Sequence, residues 1–201
     1  MPNSTRVVLA DESGHAVGSA LKSEVHHLDT PLHFAFSCYV FDSQGRFLAT
    51  RRSLSKLTWP GVWTNSCCGH PAPGERIGDA AHRRLQQELG LTPTKMGMVL
   101  PDFRYRTTMD NGIVENEICP VFAAFVTDGE PSPDPSEVAD YRWFAWPSFR
   151  DRARSGELQV SPWATLQIDL LVNFLDDPKT WPMRDLSNLP TPWDRPLIVG
   201  G

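Results

Sequence analysis

The stretch Cys67-Cys68-Gly69-His70-Pro71-Ala72-Pro73-Gly74-Glu75-Arg76-Ile77-Gly78-Asp79-Ala80-Ala81-His82-Arg83-Arg84-Leu85-Gln86-Gln87-Glu88-Leu89-Gly90-Leu91 decides how this chain is read. Its second half carries a helical pattern. Ala81, Leu85 and Leu89 recur at i, i+4 as an apolar stripe, Asp79 suits the positive end of the helix dipole, and Gly90 is placed to stop the helix. A helix over 78–89 is predicted. In the first half a thiol, a glycine and an imidazole are followed by Pro71, Pro73 and Gly74, the marks of a long loop. Gly69 removes side-chain bulk, so backbone or ligand can approach the thiol and the ring. His70 can serve as base, donor or metal ligand, according to its neighbours. The triplet alone is a weak signal, and its meaning depends on which distant residues converge on it.

Outward from this stretch the pattern is mostly that of strands. Residues 6–10 form a first short strand, followed by a polar turn with Gly14. Residues 33–41 and 46–52 flank the turn Asp42-Ser43-Gln44-Gly45 as a hairpin, and 62–68 re-enter as a strand. Residues 95–107 and 113–126 read as two long strands about Asp110-Asn111-Gly112. A loop at 131–135 precedes a strand at 140–146. Ser161 and Pro162 open the last helix as N-cap and N1, and it runs through Leu166, Leu170 and Leu171 to about residue 175. Residues 1–175 are expected to form a single α/β (α+β) domain. Residues 176–201, rich in proline with Trp181 and Trp193, are expected to be a tail packed on it rather than a second domain.

The composition is that of an ordinary globule, 40% hydrophobic and 21% charged over 201 residues. A formal charge of −5 argues against a nucleic-acid surface. A local cluster of arginine and lysine can still receive an anion. No apolar stretch approaches the roughly 18 residues of a membrane span. Residues 1–6 lack a charged segment leading into an apolar one, and Asp11 and Glu12 interrupt any such run. Four cysteines, Cys38, Cys67, Cys68 and Cys119, are too few for a secreted disulfide framework in a chain this long. Cys38 and Cys67 read as small buried residues, and reduced thiols imply the cytoplasm.

Glu115 and Glu117 lie two apart on a predicted strand and so project from one face. Their flanks, Ile113, Val114, Ile118, Cys119, Val121 and Phe122, read as a buried strand, where a carboxylate must be paired or bound to metal. A solvated strand face is the plainer alternative. His26, His33 and His70 with these carboxylates make a mixed nitrogen and oxygen set suited to Zn, Mn or Fe, although a lone histidine is more often structural. His27 should point elsewhere, and His15 and His82 read as surface residues.

From Gly69 the chain reads Gly-x5-Glu75-x7-Arg83-Arg84-Leu85-x-Gln87-Glu88-x-Gly90-Leu91, which resembles the Nudix box Gly-x5-Glu-x7-Arg-Glu-U-x-Glu-Glu-x-Gly-U, with U a bulky apolar residue. Arg84 and Gln87 stand where the box has glutamates, and Glu88 remains. Fewer carboxylates should bind fewer metals, which weakens water activation. For Glu88 an i, i+4 ion pair with Arg84 is the plainer role. Together with Leu32-His33-Phe34-Ala35-Phe36, Thr50-Arg51-Arg52-x3-Lys56, Trp59-Pro60-Gly61-Val62-Trp63-Thr64-Asn65, Cys68-Gly69-His70-Pro71, Glu88-Leu89-Gly90, Phe103-Arg104-Tyr105-Arg106, Glu115-Asn116-Glu117 and Ser161-Pro162-Trp163, the chain resembles the type I isopentenyl-diphosphate Δ-isomerases. The likeness covers roughly residues 21–175.

That resemblance implies a Nudix-like sandwich of mixed β-sheet flanked by helices. It implies interconversion of isopentenyl and dimethylallyl diphosphate, with Nudix-type diphosphate hydrolysis as the alternative. By position, Cys68 and Glu117 resemble the acid/base pair, Tyr105 its hydrogen-bonding partner, and Trp163 the ring facing the cationic carbon. Lys22, Arg52, Lys56 and Arg84 resemble the cations that bind the diphosphate. His26, His33, His70, Glu115 and Glu117 match a site for Mn²⁺ or Zn²⁺, and Glu88 matches the ligand of a Mg²⁺ bridging to the diphosphate. Cys67 stands where a small apolar residue is expected. The expected partner is a small isoprenyl diphosphate, and the expected assembly a monomer or homodimer.

Overall fold

The computed structural model describes residues 5–127 and 129–199. The start of the N-terminal segment read for a leader, and the end of the tail, lie outside the described residues. A first sheet contains β1 (Arg6–Ala10), β2 (Ala16–Leu21), β3 (His33–Phe34), and further along the chain β9 and β10. A second holds β4 (Phe36–Phe41) and β5 (Arg46–Arg52), with β6 (Trp63–Thr64) pairing β5 and β7 (Cys67–Gly69) pairing β4. Helix α1 (Ile77–Leu89) leads to β8 (Lys95–Leu100) in the second sheet. There follow β9 (Arg104–Thr108) and β10 (Val114–Ile118) in the first, then β11 (Val121–Phe125) and β12 (Val138–Ala145) in the second. Helices α2 (Trp146–Arg154) and α3 (Pro162–Leu171) precede β13 (Arg184–Asp185), which closes the second sheet at β8. The order is β2-β1-β3-β10-β9 in one sheet and β12-β5-β4-β11-β8-β13 in the other. This is the expected mixed sandwich.

Four expected strands prove to be two each. The run 33–41 hops sheets at Ala35, and 113–126 hops at Cys119-Pro120. The hops are side by side, since β3 runs parallel to β10 and β4 parallel to β11. Pro120 brings no N–H to the ladder, so pairing must break there. Backbone bonds from Ala35 to Ile118 O (2.9 Å) and Ser37 to Pro120 O (3.1 Å) bridge the gap. The run 95–107 divides at Pro101 for the same reason, and 62–68 is interrupted by Asn65 and Ser66. A cleft lies beside these breaks, lined by Ala35 and Glu117 at the hops and by Cys68 of β7.

Helix α1 starts one residue earlier than predicted and stops at Gly90, whose φ of 66° is the left-handed cap. It buries Ile77, Ala81, Leu85 and Leu89. Ahead of it, Arg83 grips Glu75 at 2.7 and 2.8 Å, so the first glutamate of the box serves to fold the loop. Gly69 is set by packing, because a Cβ there would lie 3.0 Å from the Phe36 ring and from Arg84 Cγ. The strand expected over 140–146 runs from Val138 to Ala145, and helix α2, which follows it, was not foreseen. Pro147 in its first turn and the inward Phe149 and Ala153 are its signals. Helix α3 ends at Leu171 rather than near 175, and Ser161 caps it through Ala164 N–H. In the tail, Trp181 packs edge-on to Phe41, and Trp193 edge-on to Phe34 with its Nε1 donating to Pro101 O at 3.1 Å.

Candidate active site

The two sheets and α1 enclose a cleft of about 440 Å³. It is lined by Lys22, His26, Arg52, Lys56, Cys68, His70, Arg84, Glu88, Tyr105, Glu115, Glu117 and Trp163, among others, and His33 is buried behind it. The strand register explains the convergence. Parallel pairing of β3 with β10 sets His33 opposite Glu117, and β9 sets Tyr105 opposite Glu117. In the other sheet β4 sets Ser37 opposite Cys68. Cys68 and Glu117 therefore enter from different sheets.

His26, His33 and His70 aim their Nε2 atoms at Glu117 Oε1, at 3.9, 3.4 and 3.2 Å. One ligand-type atom from each of the four lies within 4.8 Å of the others. His26 Nε2 and His33 Nε2 are buried without a hydrogen-bond partner, as befits lone pairs directed at a shared cation. His33 Nδ1 lies 2.9 Å from Pro31 O, which can only accept, so Nδ1 carries the hydrogen and Nε2 is left free to ligate. The donor set fits a divalent ion of the Zn or Mn type. Burial pushes His70 down to about 3, against the pull of Glu117, so its ring is neutral near pH 7. Burial alone would raise Glu117; hydrogens on the histidine nitrogens that face it, or a cation held in their place, bring it well below the usual carboxylate range.

Glu115 stands outside this four-atom set. Tyr105 Oη lies 2.7 Å from Glu115 Oε2 and 2.8 Å from Glu117 Oε2. One hydroxyl hydrogen cannot serve two carboxylates at once. Burial first, and the neighbouring Glu117 second, raise Glu115, making it the proton-rich member of the pair. Burial and both carboxylates keep the tyrosine itself protonated.

Cys68 Sγ lies 3.1 Å from Asn65 Oδ1 and 3.4 Å from Ser37 Oγ. The Asn65 amide is not free to flip, because Nδ2 donates to Cys38 O (3.2 Å) and Cys67 O (2.8 Å). Its Oδ1 accepts, also taking Trp163 Nε1–H at 3.1 Å, so the bond to Cys68 requires a protonated thiol. Burial pushes the thiol up to about 12, opposed by the Ser37 hydroxyl. Behind Ser37, Gln167 Nε2 donates to Ser37 Oγ (2.9 Å) and Tyr39 Oη to Gln167 Oε1 (3.1 Å). Cys67 and Cys38 are buried on the core side of the sheet.

The cations gather at one side of the cleft. Arg84 pairs with Glu88 along α1, as the i, i+4 spacing suggested, and reaches Glu137 at 3.0 Å. Lys56 pairs with the other oxygen of Glu137. Arg52 donates to Thr58 O at 3.0 and 2.7 Å and lies over the Trp163 ring, 5.2 Å from its centroid. The Lys22 ammonium is depressed by burial and by the charges of Arg84 and Lys56.

Every residue to which the sequence assigned a catalytic, substrate or metal role lines this cleft or, for His33, lies behind it. Asn65, Ser37, Gln167 and Glu137 were given no role there. Asn65 lay inside a matched run without a function, Ser37 and Gln167 in apolar patterns, and Glu137 alone in a proline-rich loop. Their partners lie up to 130 residues away in sequence, so no single spacing reveals them.

Comparison with known proteins agrees with the geometry. The NUDIX domain family matches residues 31–164. A Saccharopolyspora erythraea protein named isopentenyl-diphosphate Delta-isomerase is 53% identical, covering 98% of this chain and 99% of its own length. Its namesake from Rhizobium rhizogenes is 47% identical, covering 92% and 88%. Among solved structures, DR0079 of Deinococcus radiodurans superposes with a TM-score of 0.63 at 20% identity, covering 82% of this chain and 98% of that one. At that identity it speaks for the fold alone.

Proposed function

The chain belongs to the isopentenyl-diphosphate Delta-isomerase family within the NUDIX domain, and from that premise we propose a division of labour among the residues of the cleft. The reaction interconverts isopentenyl and dimethylallyl diphosphate. It requires a proton added at one carbon and another removed two carbons away. The observation that carries our assignment is that Cys68 and Glu117 enter one cleft from two different sheets, beside a cluster of four cations. Lys22, Arg52, Lys56 and Arg84 hold the diphosphate, the arginines suiting paired phosphate oxygens and the lysines adding point charges.

Cys68 and Glu117 then form the acid/base pair on opposite faces of the five-carbon unit. As the site stands, Cys68 carries a proton that faces Asn65, and Glu117 is ionised. Cys68 is thus the donor of the pair and Glu117 the acceptor for a substrate arriving in this state. An alkene is a weak base, so the intermediate has tertiary-carbocation character. The buried Trp163 ring offers its π face, a contribution of about 2 kcal/mol when desolvated. Tyr105 orients Glu117 by its hydroxyl and, with Trp163, excludes the water that would capture the cation.

His26, His33, His70 and Glu117 would hold a Mn²⁺ or Zn²⁺ ion, with Glu115 beside them, and Glu88 would hold Mg²⁺ against the diphosphate. When bound, such ions supply positive charge that sets the acidity of Glu117 and offsets the phosphates. Hydrolysis is the weaker reading, because α1 offers the single box carboxylate Glu88 and Arg84 occupies it. Four free cysteines fit a cytoplasmic setting.

Incubation with isopentenyl diphosphate and Mg²⁺ in heavy water tests the reading. Deuterium should enter dimethylallyl diphosphate without phosphate release. Phosphate release from nucleoside diphosphate derivatives with no isomerisation would overturn it.

A further inference from the structure

Glu137 closes the loop before β12, where nothing in the sequence marks it. Its two oxygens reach cations from two separate elements. Oε2 pairs with Lys56, on the loop after β5, and Oε1 with Arg84 on α1 at 3.0 Å. Both cations line the cleft with Lys22 and Arg52, and four positive groups on one wall repel one another. Burial first, and then the charges of Arg84 and Lys56, lower Lys22, while Glu137 and Glu88 act in the opposite sense. Glu137 is also tied to the Lys56 loop through its backbone, since Ser53 N–H donates to Glu137 O at 2.9 Å. The loop therefore stays in place whether or not the side chains remain paired.

We propose that Glu137 is a positioning residue, the resident counter-ion of the diphosphate-binding cations, which holds Lys56 and Arg84 side by side before substrate enters and then yields them to the phosphate oxygens. This rests on the reading above that these cations receive a diphosphate. Binding is then an exchange of anions. A carboxylate that spans two cations is displaced only by an anion that spans both with more charge. Glu137 keeps the cations ordered and screened, at a cost in affinity for every incoming anion.

The test is calorimetric titration of inorganic pyrophosphate into the full chain, with no magnesium added. Glu137→Gln keeps the shape and removes the charge. It should bind pyrophosphate about tenfold more tightly, and its KM for isopentenyl diphosphate should fall while kcat does not rise. Glu137→Asp keeps the charge but shortens its reach, and should lie between the two. It also carries the test should the glutamine variant fail to fold. Unchanged or weaker pyrophosphate binding in both variants would overturn the inference. Lys56→Met and Arg52→Met separate it from the reading beneath. If they bind pyrophosphate as tightly as the parent, the diphosphate site itself is misplaced. If they lose it tenfold and the Glu137 variants gain nothing, the counter-ion role alone falls.

Discussion

At the scale of single residues, adjacent side chains of the same type have different fates. Cys67 faces the core and Cys68 the cleft, as alternation along β7 requires. Cys68→Ala and Glu117→Gln should each lower isomerisation by two to four orders of magnitude, roughly the worth of a positioned acid or base. Their circular dichroism spectra should match the parent, and Cys67→Ala should keep its activity. Near-normal turnover in Cys68→Ala would remove the thiol from the pair. Glu137 adds a stability effect with a definite sign. Burial would raise this carboxyl, but the bond to Lys56 and the charge of Arg84 bring it to about 2, from an ordinary 4.5. A carboxylate depressed in the fold stabilises fully above its ordinary value, and that stability is lost as pH falls through the folded value. The urea midpoint of Glu137→Gln should therefore lie below that of the parent at pH 7, and the gap should close between pH 4.5 and 2. A gap that persists at pH 2 would mean the glutamate stabilises by packing rather than by charge.

At the scale of elements, the sequence is legible where one period governs a segment and silent where the chain changes partner. Helix α1 could be read to within a residue because Ala81, Leu85 and Leu89 repeat on one face and Gly90 ends it. The hop at Ala35 could not be read, since both faces are buried there and the apolar run continues without a break, and Pro120 marks the other break without telling which sheet the chain then joins. Those hops bring His33 and Glu117 together, so the residues of the site were legible and their supports were not. Asn65 holds Cys68 and Trp163 by partners that only the fold supplies. Two predictions follow from how elements meet. Ser161 caps α3 and bonds Thr64 Oγ1 at 2.8 Å, so Ser161→Ala should cost about 1–2 kcal/mol. It should also lower kcat, because α3 carries Trp163; a melt shifted with kcat intact would detach the cap from the site. The histidine cluster joins the loop after β2 to β3, the start of the loop after β7, and β10, so an ion bound there ties four segments together. Stripping it with chelator should lower the melting temperature. Restoring Mn²⁺ or Zn²⁺ at a hundredfold excess over Kd should return about 2.7 kcal/mol. A melt insensitive to both treatments would leave the four side chains as structure without an ion.

At the scale of the whole molecule, the tail is where sequence and fold tell different amounts. Its prolines exclude a long regular element, and its tryptophans suggest only that it packs on the body. In the fold it has a larger share. Trp193, Leu189 and Leu197 belong to the core that also holds Phe34, Phe36 and Leu85, and Trp181 joins the core of Phe41, Phe47 and Trp146. β13 covers the edge of β8, and Leu197 exchanges backbone bonds with Gly74 and Glu75 at 3.0 and 3.2 Å. The tail is thereby fastened at Leu197 to the loop between His70 and α1. Deleting a single buried tryptophan costs about 3–5 kcal/mol, and a domain has only about 5–15 in total. Ending the chain after Leu175 removes both buried tryptophans of the tail, Leu189 and Leu197, and bares an apolar strand edge. Such a truncated protein should show no cooperative thermal transition and should aggregate when expressed alone. A cooperative melt within a few degrees of the full chain would show that 1–175 closes its own core and that the tail only rests on it. The intermediate case of Trp193→Ala distinguishes structure from site. It should lower the melting temperature while leaving KM unchanged, because Trp193 packs on Phe34 and Pro101 and does not line the cleft.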